Sequence, residues 1–144
     1  MDIKPYLKYY LGCQYKLTGY PANVTFDLTS FTLNAHSKVS LSDVVPILKR
    51  LSDITEEDAT AVCRLSPYCK YPNDIEIVDV AKTHIHFIDG QECSGDGWSE
   101  TSDIHVCFVE LNAEQFHYLI SKGYWLFDPS AFDKGLIIDA KTIS

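Results

Sequence analysis

The chain has 144 residues, of which 46% are hydrophobic and 22% are charged, an ordinary balance for a globular protein. This length predicts a single domain over residues 1–144, because two domains would each be close to the smallest size that supports an independent core. Twenty acidic residues against twelve basic ones give a formal charge of −8, which repels phosphate backbones and argues against direct nucleic-acid binding.

The N-terminal third has the pattern of an antiparallel meander. Aromatic residues favour a strand over residues 9–16. Residues 24–28 alternate between apolar and polar side chains, as in a strand with one face in water. The alternation slips by one position at residues 29–30, which predicts a bulge or a turn. A short strand is expected over residues 38–41.

Two capped helices and one short helical turn follow. The proline within residues 44–51 fits only the first turn of a helix, which predicts a short helical turn there. Thr55 followed by Asp58 resembles a capping box and predicts the start of a longer helix. Asn112 followed by Gln115 repeats this pattern at the start of the second helix.

The C-terminal half contains further strands. Residues 75–80 and 83–88 are rich in β-branched side chains and predict a hairpin or one bent strand. Residues 89–103 have the composition of a polar loop, while residues 104–110 and 135–140 predict strands. The elements together predict an α+β fold with a mostly antiparallel, strongly bent or barrel-like sheet, two capped helices and one short helical turn.

A pair of predicted strands carries side chains that bind metals. His84 and His86 are two residues apart, as are His105 and Cys107, so each pair shares one face of its strand. Imidazole and thiolate are donors that zinc accepts, and four of them converge if the two strands pair. The alternative is a wet sheet face whose histidines bind no metal, and the register of the strands decides between the two. No cofactor is expected other than zinc at this site.

Aromatic residues are the candidates for contact with a protein partner. Trp98 lies in the polar loop, and Tyr124 and Trp125 belong to an aromatic segment after the second helix. Exposed aromatic side chains often anchor protein interfaces, while buried ones support packing, so both roles are open. Residues 89–100 have the length of a calcium-binding loop, but Ser94 stands where that loop needs glycine.

The cysteines and the apolar runs predict the compartment. The five cysteines form an odd set without a C-x-x-C pair, and the first residues do not resemble a signal peptide. Reduced thiols and a cytoplasmic location are therefore expected. No apolar run approaches the roughly 20 residues of a membrane helix, so no membrane association is expected.

Several stretches resemble a group of small uncharacterised proteins from Bacteroides-type bacteria and their phages or prophages. These stretches are residues 10–13, 46–57, 119–127 and 135–139. Arg50 departs from the pattern, because a second proline is expected there. The resemblance implies a phage-associated or mobile-element setting and brings no catalytic residues with it.

Three functions fit these observations. The first is a non-enzymatic accessory or interaction protein, favoured because the chain contains none of the common motifs of nucleophilic catalysis or phosphate binding. The second is a zinc-binding protein or metal-dependent hydrolase that uses the strand pair described above. The third is an acidic mimic of nucleic acid that binds a basic protein.

Overall fold

The computed structural model describes residues 2–34, 39–92 and 99–142. The chain divides into two compact units, the first formed by Met1–Arg50 and Ile120–Ser144 and the second by Leu51–Leu119. The single domain predicted over residues 1–144 stays a prediction.

In chain order the strands are β1 (Gln14–Leu17), β2 (Phe26–Asp27), β3 (Val44–Leu48), β4 (Ile75–Val80), β5 (His84–Glu92), β6 (Ser99–Cys107) and β7 (Ile138–Asp139). The α-helices are α1 (Ser30–Leu33), α2 (Glu56–Arg64), α3 (Ala113–Ser121) and α4 (Ser130–Asp133). Short 3-10 helices cover Lys4–Tyr10, Leu41–Asp43, Leu51–Asp53 and Ala140–Thr142.

The first unit is built on a four-stranded sheet in the order β2-β1-β3-β7. Its pairings are antiparallel except for the parallel pair β3 and β7. The core beside this sheet is apolar and rich in aromatic rings, and it includes Leu7, Tyr10, Tyr15, Leu28, Leu48, Trp125 and Phe132. Aromatic residues from the start of the chain thus pack with aromatic residues from its last third.

Of the strand predicted over residues 9–16, only residues 14–16 belong to a strand, β1, while residues 9 and 10 end the 3-10 helix Lys4–Tyr10. Pro5 occupies the first turn of this helix, where a missing N–H costs nothing. Leu7 and Tyr10 are both buried, and a spacing of three places them on one side of a 3-10 helix. The tyrosine-rich composition concealed this threefold spacing.

The helical turn predicted over residues 44–51 is wrong. These residues begin with β3, along which buried and half-buried positions alternate with the period of two that strands have. Pro46 is tolerated because it pairs with Tyr15 of β1 only, while the pairing of β3 with β7 starts at Ile47. At that point β3 is an edge among the described strands, and edges accept proline. A helical turn does follow, at Leu51–Asp53.

The second unit contains a three-stranded antiparallel sheet in the order β4-β5-β6 and two helices. Of the two alternatives predicted for residues 75–80 and 83–88, a hairpin or one bent strand, the structure shows the hairpin, formed by β4 and β5. The region expected to be a polar loop, residues 89–103, is partly occupied by strands. β5 continues to Glu92 and β6 begins at Ser99. One face of the sheet is buried through Ile85, Phe87, Ile104 and Val106.

Both predicted helix caps of the second unit are confirmed. The Asp58 N–H donates to Thr55 Oγ1 over 3.1 Å at the start of α2. At the start of α3 the Gln115 N–H donates to Asn112 Oδ1 over 2.8 Å, and the Asn112 N–H donates to Gln115 Oε1 over 3.0 Å. This reciprocal pair is a capping box, as its spacing predicts.

The two cap residues of α3 also bind the end of α2. Asn112 Nδ2 donates to the carbonyl of Leu65 over 2.9 Å, and Gln115 Nε2 donates to the carbonyl of Val62 over 3.0 Å. The Leu65 carbonyl thereby gains a donor that the helix does not supply, and Gln115 adds a second donor to the Val62 carbonyl, which also accepts from the N–H of Leu65. We call this set of bonds the α2–α3 junction.

The structure confirms the α+β class and the mostly antiparallel pairing. The prediction of a strongly bent or barrel-like sheet is wrong about the barrel, because the described strands form two open sheets and no closed barrel. Hydrophobic alternation identifies the strands but not which strands pair, and the division into two sheets depends on pairing.

Candidate functional site

Four metal-binding side chains meet on one face of the β5–β6 hairpin. The register pairs His84 with Cys107 and His86 with His105. Residues paired directly across an antiparallel ladder share a face. Their neighbours Ile85 and Phe87 point to the buried face, so these four side chains lie on the other one. We call His84, His86, His105 and Cys107 the histidine face.

The imidazole rings of the histidine face contact each other. The rings of His86 and His105 are stacked with centroids 4.4 Å apart and an angle of 4° between their planes. The rings of His84 and His105 are 5.1 Å apart and tilted by 49°. His105 is exposed, whereas His84 and His86 are half-buried. The three rings therefore lie side by side at the surface of the second unit.

Hydrogen bonds with neighbouring side chains outside the histidine face orient two of these rings. Asp103 Oδ1 lies 3.1 Å from His86 Nε2, and an ionised carboxylate can only accept, so this nitrogen carries the proton. Thr83 Oγ1 lies 3.1 Å from His84 Nδ1. These contacts leave Nδ1 of His86 and Nε2 of His84 as the nitrogens available to another partner.

Carboxylates border the histidine face, and the sequence did not single them out. Asp103 precedes His105 by two residues on β6, and Asp79 of β4 is paired with His86. Both side chains are exposed. The chain has twenty acidic residues, so type and spacing alone gave no signal for these two. Only the register of three strands shows that they adjoin the histidines.

The present arrangement of side chains is not a preformed metal site. Among the described residues, no group of three or more His, Cys, Asp or Glu side chains is placed so that it could hold a metal ion. The stacked rings of His86 and His105 present their faces rather than their nitrogens to each other. The zinc predicted at His84, His86, His105 and Cys107 therefore stays a prediction that requires side-chain rotation.

The three predicted partner-contact residues are placed differently. Trp98 and the middle of the calcium-like loop fall at residues 93–98, outside the described residues. Tyr124 and Trp125 are 0% and 2% exposed. Trp125 Nε1 donates to the carbonyl of Asp128 over 2.7 Å. Both side chains are thus core residues of the first unit and present almost no area to a partner, and the contact role of the three stays a prediction.

The cysteines that the structure describes, Cys13, Cys63, Cys69 and Cys107, are free thiols, as expected. Burial raises the pKa of Cys13 to about 11 and that of Cys63 to about 12. Because the thiolate is the nucleophile, these two thiols are poor candidates for catalysis near neutral pH.

Asp89 is a buried carboxylate on the face of β5 opposite to the histidines. It is 0% exposed, and its Oδ2 accepts from the N–H groups of Lys70 and Tyr71. Its Oδ1 has no hydrogen-bond partner within the described part of the chain. Burial, the charge of Asp89 and a hydrogen bond to Asp89 raise the pKa of the Cys69 thiol. Asp89 therefore fixes the connection after α2 and disfavours the thiolate form of Cys69.

Replacing Asp89 with asparagine is expected to lower the pKa of Cys69, because the negative charge that disfavours the thiolate is removed. Alkylation of Cys69 at neutral pH should then accelerate, by about threefold for each unit of pKa once the lower nucleophilicity of a more acidic thiol is included. Peptide mapping after timed iodoacetamide treatment over a pH series measures this rate, with Cys107 as the internal reference. An unchanged ratio of Cys69 to Cys107 labelling would contradict the role given to Asp89.

Comparisons of the chain with family models, with curated proteins and with solved structures gave no match. Among the described helices, none combines the length and the apolar character that crossing a membrane requires. The function of the histidine face has to follow from its own geometry.

Proposed function

We propose that this protein binds a divalent transition-metal ion, zinc in the first place, at the histidine face. His84, His86 and His105 are the nitrogen ligands and Cys107 is the fourth ligand. The observation that carries the proposal is the register of β5 and β6, which pairs His84 with Cys107 and His86 with His105.

The backbone spacing suits one metal ion. Cα atoms of paired residues in antiparallel strands are roughly 4.5–5.5 Å apart, and residues two apart on a strand are about 6.5–7 Å apart. Zinc binds imidazole nitrogen at about 2.0–2.1 Å and thiolate sulfur at about 2.3 Å, so four side chains on such a rectangle can reach one ion above its centre. The rings of His86 and His105 have to leave their stack, which the exposure of His105 permits.

The hydrogen bonds of His84 and His86 with Thr83 and Asp103 determine which ring nitrogen each histidine offers to a metal ion. His84 with Nδ1 bonded to Thr83 offers Nε2, and His86 with Nε2–H bonded to Asp103 offers Nδ1. A carboxylate or hydroxyl behind a ligating imidazole fixes its tautomer and raises its basicity. Asp79 and Asp103 add negative charge beside the face, which favours a cation.

The ligand set favours binding over catalysis. Four protein ligands close the coordination sphere of zinc, whereas catalytic zinc keeps one position for water or substrate. A three-histidine site with water in place of Cys107 is the arrangement that a hydrolase would need. We therefore place the protein in the non-enzymatic class, with the phage or mobile-element setting carried only by the resemblance of residues 46–57 and 119–127.

Competition with a chromophoric chelator tests the proposal. Purified protein is expected to withdraw one equivalent of zinc, and replacing His84, His86 and His105 with alanine together should abolish this uptake. His117→Ala is the matched control, because His117 is exposed on α3 and lies outside the histidine face. Cobalt in place of zinc reports on the fourth ligand, since a thiolate-to-metal charge-transfer band should appear and should be lost in Cys107→Ser.

Two results would count against the proposal. Stoichiometric zinc uptake by the triple variant would show that zinc binds elsewhere in the chain. The protein would not be a zinc-binding protein if the unmodified chain took up no zinc under conditions where the chelator releases zinc to a control ligand. A cobalt complex without the charge-transfer band would exclude Cys107 and support the three-histidine arrangement instead.

A further inference from the structure

The first unit contains a groove with a volume of about 480 Å³. We call it the lysine groove. It is formed by the segment that follows the first 3-10 helix, by the end of β3, by the turn after α3 and by the start of the last 3-10 helix. Its lining includes Tyr9, Leu11, Cys13, Gln14, Ile47, Lys49, Ile120, Lys122 and Ala140. A groove of this size lies within the usual range of roughly 300–1,000 Å³ for small-molecule sites.

The charge of the groove is opposite to that of the protein. Lys49 and Lys122 line it, and the described lining residues include no Asp or Glu. The chain as a whole carries twenty acidic residues against twelve basic ones, so a random patch of surface would be acidic. A local concentration of cations in an acidic protein favours an anionic ligand.

Much of the remaining lining is apolar or aromatic, beside the polar Gln14 and Ser121. Leu11 and Tyr9 are 51% and 42% exposed, and Ile47 and Ile120 are half-buried beside them. Exposed apolar side chains next to a groove mark a surface that gains free energy when a ligand covers it. The groove thus combines an apolar wall with two ammonium groups.

The backbone around Lys49 is held in place. Its N–H donates to the carbonyl of Gly123 over 2.8 Å, and its carbonyl accepts from the N–H of Trp125 over 2.9 Å. Lys49 Nζ lies 5.2 Å from the centre of the Tyr124 ring, a contact that restricts the positions of the ammonium group. A held backbone reduces the entropy that Lys49 loses when a ligand binds.

Cys13 contributes no negative charge to the groove. Burial, together with the charge of Asp27, raises the pKa of Cys13 to about 11, so the thiol is neutral at physiological pH. Cys13 therefore adds to the apolar part of the wall rather than to its charge.

We infer that the lysine groove binds a small amphipathic organic anion, a carboxylate or sulfonate with an aliphatic or aromatic body. The anionic group lies at Lys49 and Lys122, and the body lies along Leu11, Ile47 and Ile120. This site is in the first unit and is independent of the metal proposed for the second.

Fluorescence titration with 8-anilinonaphthalene-1-sulfonate tests the inference, with N-phenyl-1-naphthylamine as the uncharged counterpart and decanoate as a competing carboxylate. We expect saturable binding of one sulfonate probe, displacement by decanoate and much weaker binding of the uncharged probe. Substituting both Lys49 and Lys122 with alanine should weaken the sulfonate by about tenfold or more, since charge-assisted hydrogen bonds are the strong ones.

The control is the double variant Lys16→Ala and Lys134→Ala, which changes the net charge equally but leaves the lining of the groove intact. Its affinity for the sulfonate should equal that of the unmodified protein. Backbone amide shifts on titration should be confined to residues 9–14, 47–49 and 120–123. Thermal melts first establish that the variants are folded. The inference would then be overturned if the charged and uncharged probes bound equally well, or if both double variants lost the same affinity for the sulfonate. Amide shifts centred on other residues would overturn it as well.

Discussion

Replacing Gln115 with alanine is expected to lower the free energy of unfolding of the second unit by about 2–4 kcal/mol. The Gln115 side chain is 3% exposed, donates to the carbonyl of Val62 and accepts from the N–H of Asn112. Alanine leaves the part-buried Asn112 N–H without its acceptor, and an unsatisfied group that water does not reach costs about 1–3 kcal/mol. It also removes one of the two donors to the Val62 carbonyl, which keeps the N–H of Leu65, and a lost hydrogen bond costs about 0.5–1.5 kcal/mol. Because both ends of the α2–α3 junction are affected, the cost exceeds that of losing an ordinary helix cap, about 1 kcal/mol.

Urea denaturation followed by circular dichroism measures this change. The matched control is Glu114→Ala, because Glu114 precedes Gln115 in the same turn but is exposed. Gln115→Glu separates the two bonds, since a carboxylate still accepts from Asn112 but cannot donate to Val62. We expect its stability to fall below that of the unmodified protein. Similar midpoints for Gln115→Ala and Glu114→Ala would mean that the junction is not important for stability.

Substituting Tyr10 with phenylalanine is expected to destabilise the first unit by about 2–3 kcal/mol. The Tyr10 hydroxyl donates to the carbonyl of Tyr124 over 2.8 Å and accepts from the N–H of Leu126 over 3.1 Å. Tyr10 is only 2% exposed, so water cannot replace the hydroxyl. Burial raises the pKa of this phenol, so the hydroxyl keeps its proton and donates throughout the physiological range.

Phenylalanine preserves the stacking of the ring on Trp125, whose centroid is 5.7 Å away, so the substitution isolates the two hydrogen bonds. Amide hydrogen exchange at Leu126 should accelerate together with the loss of stability, because its N–H loses its acceptor. Tyr20→Phe is the control, since Tyr20 is 58% exposed and water can solvate its hydroxyl. Unchanged exchange at Leu126 in Tyr10→Phe would contradict the assignment of this bond.

The elements that the sequence predicted well are those defined by local chemistry. Thr55 and Asn112 mark helix starts because a side-chain oxygen must satisfy an N–H within three residues, and nothing distant is needed. Pro46 misled the prediction, because proline is compatible with a first helical turn and also with a strand edge. Only the pairing of β3, which depends on residues far along the chain, decides between the two.

The same distinction applies to the candidate site. Spacing by two residues predicted that His84 and His86 share a face, and likewise His105 and Cys107, because a strand alternates by construction. The register that joins the two pairs depends on how the hairpin closes, and the sequence left it open. The contribution of Asp103 and Asp79 could not be predicted, since carboxylates are common in this chain and their role depends on that register.

The α2–α3 junction also has a consequence for the order of folding. Its two connecting bonds join residues that are 47 and 53 positions apart in the chain, and the whole β4-β5-β6 sheet lies between them. Closing so long a segment costs chain entropy before any bond forms. We expect the hairpins, whose contacts are local, to form first and to bring the two helix ends together. The last turn of α2 and the first turn of α3 then become stable in a single step, and neither is completed alone.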